Sequence, residues 1–153
     1  MSQFEKKIEE LGLKVPSLTK PLAAYVHGVQ ADKLLFTSGQ LPTVEGKLVC
    51  EGHVGAEVSI EQGYEAAKVC ALNCLAVIKS IAGDLDKVER IVKLTGFVSS
   101  APGFTAQPKV VNGASEFLLS VFGEKGEHAR SAVGVIELPI NAPVEVEMIV
   151  KLK

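Results

Sequence analysis

Arg130 is the residue whose setting most demands a chemical explanation. It lies in Glu127-His128-Ala129-Arg130-Ser131-Ala132-Val133, where a Gly-bearing turn enters an apolar strand. A guanidinium set against so much apolar sequence must be paired. Its planar fork suits a carboxylate held by two parallel hydrogen bonds. That carboxylate is either Glu145 of the same chain or one belonging to a ligand, and spacing leaves both open. Glu145 and Glu147 alternate on one strand face, a pattern that serves acid–base chemistry or an ordinary solvated face; on spacing alone the solvated face is the better reading. His27, His53 and His128 are scattered, with no two at helical i, i+4 spacing. His128 has a secondary claim on a site through its nearness to Arg130, although a histidine at a strand entrance is normally solvated.

Cys70 and Cys74 lie four apart on a helical pattern but lack histidine partners, so they read as core packing. With Cys50 they make three cysteines, and none has zinc-site spacing. There is no phosphate loop, dinucleotide fingerprint, HExxH or nucleophile elbow. No metal and no cofactor is expected.

These side chains need a scaffold, and its elements are legible. Ser2 can cap a short helix to Leu11 that turns Phe4, Ile8 and Leu11 to one side, with Gly12 as the stop. This helix and its lead-in make up residues 1–20, and residues 16–21 run from Pro16 to Pro21. Residues 24–29 and 33–38 read as a hairpin turning at Gln30-Ala31-Asp32, and residues 47–50 as a weak third strand. Residues 59–81 carry Ile60, Tyr64, Ala67, Ala71, Leu75 and Ile78 at steps of three or four, a long helix with one buried stripe that Gly83 ends. Ser59 and Gln62 form a capping-box pattern at its start. Residues 88–98 read as a strand, 105–122 as a second long helix ended by Gly123, and 131–138 and 144–152 as two strands joined by a turn at 139–143.

This order predicts an α+β fold: a single mixed β-sheet with two long helices on one face, plus the short N-terminal helix, all in one domain spanning residues 1–153. The other sheet face is left needing cover, which predicts a symmetric oligomer.

Composition bounds the partners. The 153 residues carry a formal charge of −2, with 47% hydrophobic and 5% aromatic residues and no Trp. A chain of this size and apolarity folds without staples. The absence of a basic patch or aromatic platform disfavours nucleic acid as a partner. A charged start in place of an apolar signal core, and no apolar run of about 18 residues, disfavour export and a membrane. The expected location is cytoplasmic.

From Tyr25 to the C-terminus, an ordered set of motifs resembles the RidA/YjgF family. It comprises Tyr25, Leu34-Leu35-Phe36-Thr37-Ser38-Gly39-Gln40-Leu41-Pro42, Gly96-Phe97-Val98, Ala129-Arg130-Ser131-Ala132-Val133-Gly134-Val135, Leu138-Pro139 and Val144-Glu145-Val146-Glu147. The N-terminal helix, Gly63-Tyr64-Glu65-Ala66-Ala67, Val111-Asn112-Gly113-Ala114-Ser115 and His128-Ala129-Arg130 resemble a longer branch of that family.

The resemblance implies a chorismate-mutase-like fold and a homotrimer whose bare sheet faces form a central barrel, with ligand sites at the subunit clefts. It also implies cofactor-free hydrolysis of a small carboxylate-bearing enamine or imine to a 2-oxo acid and ammonia. Arg130 matches the arginine that grips the substrate carboxylate, and Tyr25 the tyrosine lining the cleft. Ser38 and Gly39 match the pair that helps hold the ligand, and Glu145 the acidic residue that orients water and moves protons. Ala132 stands in the substrate-binding position two after the arginine, where active members commonly carry Cys or Thr. Pro102 stands where they often carry Asn. Both departures remove polar groups from the neighbourhood of the site. The rival readings are a metabolite-binding or regulatory protein using the same cleft without chemistry, a ribonuclease or translation inhibitor, and a chaperone-like surface.

Overall fold

The computed structural model describes residues 1–18 and 24–153. The expected lead-in to Pro21 lies in part outside them. The chain opens with α1 (Gln3–Glu10), followed by β1 (Gly28–Ala31), β2 (Leu34–Thr37), β3 (Thr43–Val44), β4 (Lys47–Leu48) and α2 (Ile60–Ala82). Then come β5 (Val88–Ser99), α3 (Gln107–Phe122), β6 (Ala129–Val135) and β7 (Val144–Leu152). The strands β1-β2-β7-β5-β6 form one mixed sheet, and β3 with β4 makes a small separate hairpin. Among the described strands of this sheet, only the β5–β6 pair is hydrogen-bonded in parallel. A parallel neighbour needs a long crossover, and α3 supplies it. α2 does the same between β2 and β5, which run the same way with β7 antiparallel between them.

Local chemistry sets the ends of these elements. Ser59 and Gln62 close the predicted capping box on α2, with Gln62 N donating to Ser59 Oγ at 3.1 Å and Ser59 N donating to Gln62 Oε1 at 2.9 Å. Gly83, at φ 87°, takes the chain out of the helix in a conformation that side chains avoid. α1 is capped by Ser2 and Glu5, and its first amides also donate to Asp86 at 2.9 and 3.2 Å, which ties it to the turn before β5.

Both long helices cover one sheet face. Leu35, Leu94, Val98, Val144, Val146, Met148 and Val150 point into that layer and are buried with Ala67, Ala71, Leu75, Ile78, Val111, Ala114 and Leu118. α2 and α3 meet closely because Gly113 lies against the backbone of Tyr64. The opposite face carries no helix. It presents Val29, Phe36 and Val133, which are 54%, 39% and 43% exposed, together with Lys93, Glu147 and Ile149.

Some boundaries differ from expectation. β1 starts at Gly28 rather than residue 24 and runs through Ala31, because Asp32 takes a positive φ of 55° and lets the hairpin turn within two residues. β6 ends at Val135, not 138, since its partner β5 ends opposite it at Ser99. Leu11 is 44% exposed rather than part of the face that Phe4 and Ile8 bury.

Candidate functional site

Glu145 sits at the start of β7 on the helix-free face, opposite Phe97. The loop after β2 crosses over it, pinned by a reciprocal backbone pair: Gln40 N donates to Val146 O at 2.8 Å and Val146 N donates to Gln40 O at 3.0 Å. This places Gly39 directly against the Glu145 carboxyl. A Cβ at Gly39 would lie 2.9 Å from Glu145 Cδ and closer still to Oε1. Only a glycine admits the carboxylate in that position. Glu145 is therefore half-buried, not the ordinary solvated residue its alternation suggested. Burial raises its carboxyl pKa, and the charge of Glu147 adds to the rise.

A cavity of about 500 Å³ opens beside Glu145, lined by Tyr25, His27, Gly39, Gln40 and Pro139 among others. Tyr25 is 57% exposed at its edge. Ser38 lies next to this cavity, with its hydroxyl proton already committed: Oγ donates to Val26 O at 2.6 Å, and its amide donates to His27 O at 2.7 Å. Three of the expected positions, Tyr25, Gly39 and Glu145, thus share one cavity.

Arg130 is elsewhere. It pairs in register with Leu94, on the face that the helices cover, at the sheet edge. Leu94 pairs with Met148, whereas Glu145 pairs with Phe97. Arg130 and Glu145 are consequently three residues apart along the strands, two strands apart across the sheet, and on opposite faces. The backbone offsets alone are roughly 10 Å in each direction. The intrachain Arg130–Glu145 ion pair left open by the sequence is not formed. Instead Arg130 Nη1 donates to Asn112 Oδ1 at 2.8 Å and Ser115 Oγ at 3.2 Å, both on α3. Among the described residues no carboxylate pairs with Arg130. It is half-buried and keeps an uncompensated charge.

His128 is not a solvated bystander either. Its ring nitrogens lie 2.9 Å from Ser115 Oγ and 2.6 Å from Gly126 O. Ala132 follows on the same face as Arg130, packed against the core and offering the site no polar group. Pro102 is exposed in the turn after β5. Cys70 and Cys74 are fully buried, with thiol pKa values pushed up by burial, as a packing role requires.

Sequence reasoning assigned no contact to Asn112 or Ser115. Their signal was present: two polar residues at i, i+3 spacing, both half-buried, on α3. Among the described residues no group of three or more His, Cys, Asp or Glu side chains could hold a metal ion, and no helix is long and apolar enough to cross a membrane.

Residues 5–152 match the family model described as "YjgF/chorismate mutase-like, putative endoribonuclease". The chain belongs to the YjgF family. Protein TCP17 of Trypanosoma cruzi is 45% identical over 146 residues, 95% of this chain and 91% of that protein. The YjgF relative named 2-iminobutanoate/2-iminopropanoate deaminase in Dermatophagoides farinae is 30% identical, covering 92% of this chain and 95% of its own length. A crystal structure of an Agrobacterium tumefaciens protein of unknown function superposes with a TM-score of 0.91 at 43% identity, over 98% of this chain and 92% of that one. The chorismate-mutase-like α+β fold expected from the motifs is the fold the chain adopts.

Proposed function

We propose that this YjgF protein binds a small carboxylate-bearing imine, or its enamine tautomer, and hydrolyses it to a 2-oxo acid and ammonia. The observation that carries the reading is the Glu145 carboxyl, half-buried beside a cavity that Tyr25 and Gly39 also line, with its pKa raised. A carboxyl whose pKa burial has raised is a stronger base than a solvated one, and can take a proton from water and return it to nitrogen. In the reaction, water oxygen bonds to the imine carbon as the C=N π bond opens. Glu145 takes one water proton and delivers it to nitrogen. In the resulting carbinolamine the hydroxyl proton passes by way of Glu145 to nitrogen, the C–N bond breaks to release ammonia, and the C=O bond forms. No redox step occurs, so the residues need supply only position and proton transfer.

Arg130 supplies the carboxylate anchor, which its unmatched charge supports. Because Arg130 and Glu145 of one chain cannot reach one small ligand, the site is built at a cleft between copies of the chain, with Arg130 from one facing the Glu145 cavity of the next. A homotrimer packed through the bare sheet face meets this requirement and covers Val29, Phe36 and Val133. Three free cysteines fit a reducing, cytoplasmic setting. A second reading, ligand binding without turnover, is favoured by Ala132 beside Arg130 and by the committed proton of Ser38.

The test is a coupled assay in which a pyridoxal-phosphate enzyme generates 2-aminoacrylate and 2-oxo acid release is followed with wild type and Glu145→Gln. Loss of a general acid–base group lowers the rate about 10²- to 10⁴-fold. Acceleration by wild type that Glu145→Gln loses establishes the hydrolase. If wild type binds a 2-oxo acid yet accelerates nothing, the binding protein is the correct reading.

A further inference from the structure

The Arg130 surroundings carry an inference that rests on, and goes beyond, its reading as the ligand anchor. A guanidinium has two edges that can grip a carboxylate side by side: the end, through Nη1 and Nη2, and the flank, through Nε and Nη2. Nη1 bears two hydrogens, and both are used, one toward Asn112 Oδ1 at 2.8 Å and one toward Ser115 Oγ at 3.2 Å. The end edge is closed. Among the described residues nothing bonds Nε or Nη2, so the flank is the edge on offer.

One consistent set of donor directions follows from the acceptor at the end of this cluster. Gly126 O can only accept, so at 2.6 Å from it His128 Nδ1 carries the hydrogen. In that tautomer Nε2 is the acceptor for the Ser115 hydroxyl at 2.9 Å. Ser115 spends its proton on His128 and turns its lone pairs to Arg130. Gly126 lies so close to the backbone of α3 that a Cβ there would fall 2.5 Å from Leu118 O. The chain of donors therefore runs from Arg130 to Ser115 to His128 and ends on the Gly126 carbonyl, a backbone acceptor packed against α3.

We infer that Asn112, Ser115 and His128 are positioning residues that lock the Nη1 corner of Arg130, so that a ligand carboxylate is gripped side-on through Nε and Nη2. The ligand class this selects is a planar α-carboxylate presented at the open edge of β6, away from α3. His128 acts only through Ser115, and Ser115 only through Arg130.

The probe is 2-oxobutanoate, titrated calorimetrically into the full-length protein and followed by the ¹H–¹⁵N resonance of Arg130 Nε–H, which is assigned by its disappearance in Arg130→Ala. Ser115→Ala is expected to weaken binding about three- to tenfold, the worth of one such hydrogen bond, with the unfolding temperature held as a control. Ser115→Thr, which keeps the hydroxyl, restores it. His128→Ala weakens binding in the wild-type background and adds nothing in Ser115→Ala, a non-additivity that two independent structural lesions would not produce. The Nε–H resonance moves on titration. Unchanged affinity in Ser115→Ala, additive losses, or an Nε–H resonance that stays still while ligand binds overturns the lock even though Arg130→Ala loses binding. No binding by wild type, or equal binding by Arg130→Ala, removes the anchor reading itself.

Discussion

Gly39→Ala tests whether the close approach of the β2–β3 loop is what holds the Glu145 carboxyl. The new Cβ would stand 2.9 Å from Glu145 Cδ and 3.1 Å from Cγ, against about 3.5–4.0 Å for comfortable carbon contact. The backbone of Gly39 does not require glycine, since its φ is not in the left-handed region. Alanine would by itself stabilise the chain by about 0.4–1 kcal/mol through the unfolded state. Overpacking costs about 1–3 kcal/mol, and about 1.5–2 applies because the half-exposed Glu145 side chain can swing part of the way aside. The expected cost is thus about 1 kcal/mol, or about 2–4 °C in unfolding temperature for a domain of this length. In a Glu145→Ala background every atom of the clash is gone, so Gly39→Ala should become neutral or stabilising. The coupling energy is then about 1.5–2 kcal/mol by urea unfolding of the four proteins in the cycle. Carboxyl titration by ¹³C NMR should show Glu145 falling back toward the ordinary carboxylate range in Gly39→Ala, and deaminase turnover should drop with it. Equal costs in the two backgrounds would refute the argument, because the glycine would then be needed for something other than Glu145.

Glu145→Gln should raise stability at neutral pH while removing turnover. A raised carboxyl pKa means that the native state holds the proton more tightly, so stability falls as pH rises through the window above the ordinary carboxylate range, and the glutamine variant lacks that fall. Glu5 has the opposite sign. The hydrogen bond from Lys79, helped by the Ser2 amide at 2.9 Å, lowers its pKa to about 2. Its contribution is full above the ordinary carboxylate pKa and is lost as pH falls toward 2, so Glu5→Gln should flatten the loss of stability between pH 5 and 2 measured by acid unfolding. Gly113→Ala should cost about 3 kcal/mol, since its Cβ would meet the backbone of Tyr64 in α2, which cannot swing aside as a side chain can; calorimetry would register it as a lowered unfolding temperature.

Periodicity was sufficient for the helices and most strands because their burial is one-sided: the alternation from Val144 to Leu152 and the stripe along α2 state which face is inside. It was insufficient wherever distant segments meet. Glu145 looks solvated on its own strand and becomes half-buried only because residues 38–41, a hundred positions earlier, are bridged across Val146. Arg130 advertises an unmatched charge, but its partners come from α3, and no spacing rule connects position 130 with positions 112 and 115. Tyr25, Gly39 and Glu145, which the motif resemblance named, line one cavity that no spacing rule connects. The hairpin turn was misplaced for a local reason, the left-handed Asp32, which shortens the loop by more than composition suggests.

If each cleft joins Arg130 of one chain to Glu145 of the next, as proposed, their placement on opposite faces of one chain gives the protein an unusual genetics. Two defective alleles, one lacking the guanidinium and the other the carboxyl, each produce chains that are individually inert. When such chains assemble at random around a closed ring, a cleft is whole whenever an Arg130-bearing chain is followed by a Glu145-bearing one, about one arrangement in four. A cell carrying both lesions would keep roughly a quarter of the wild-type sites, whereas a cell carrying either alone would keep none. Loss in such a protein is recessive in pairs, and two faults in different copies partly cancel.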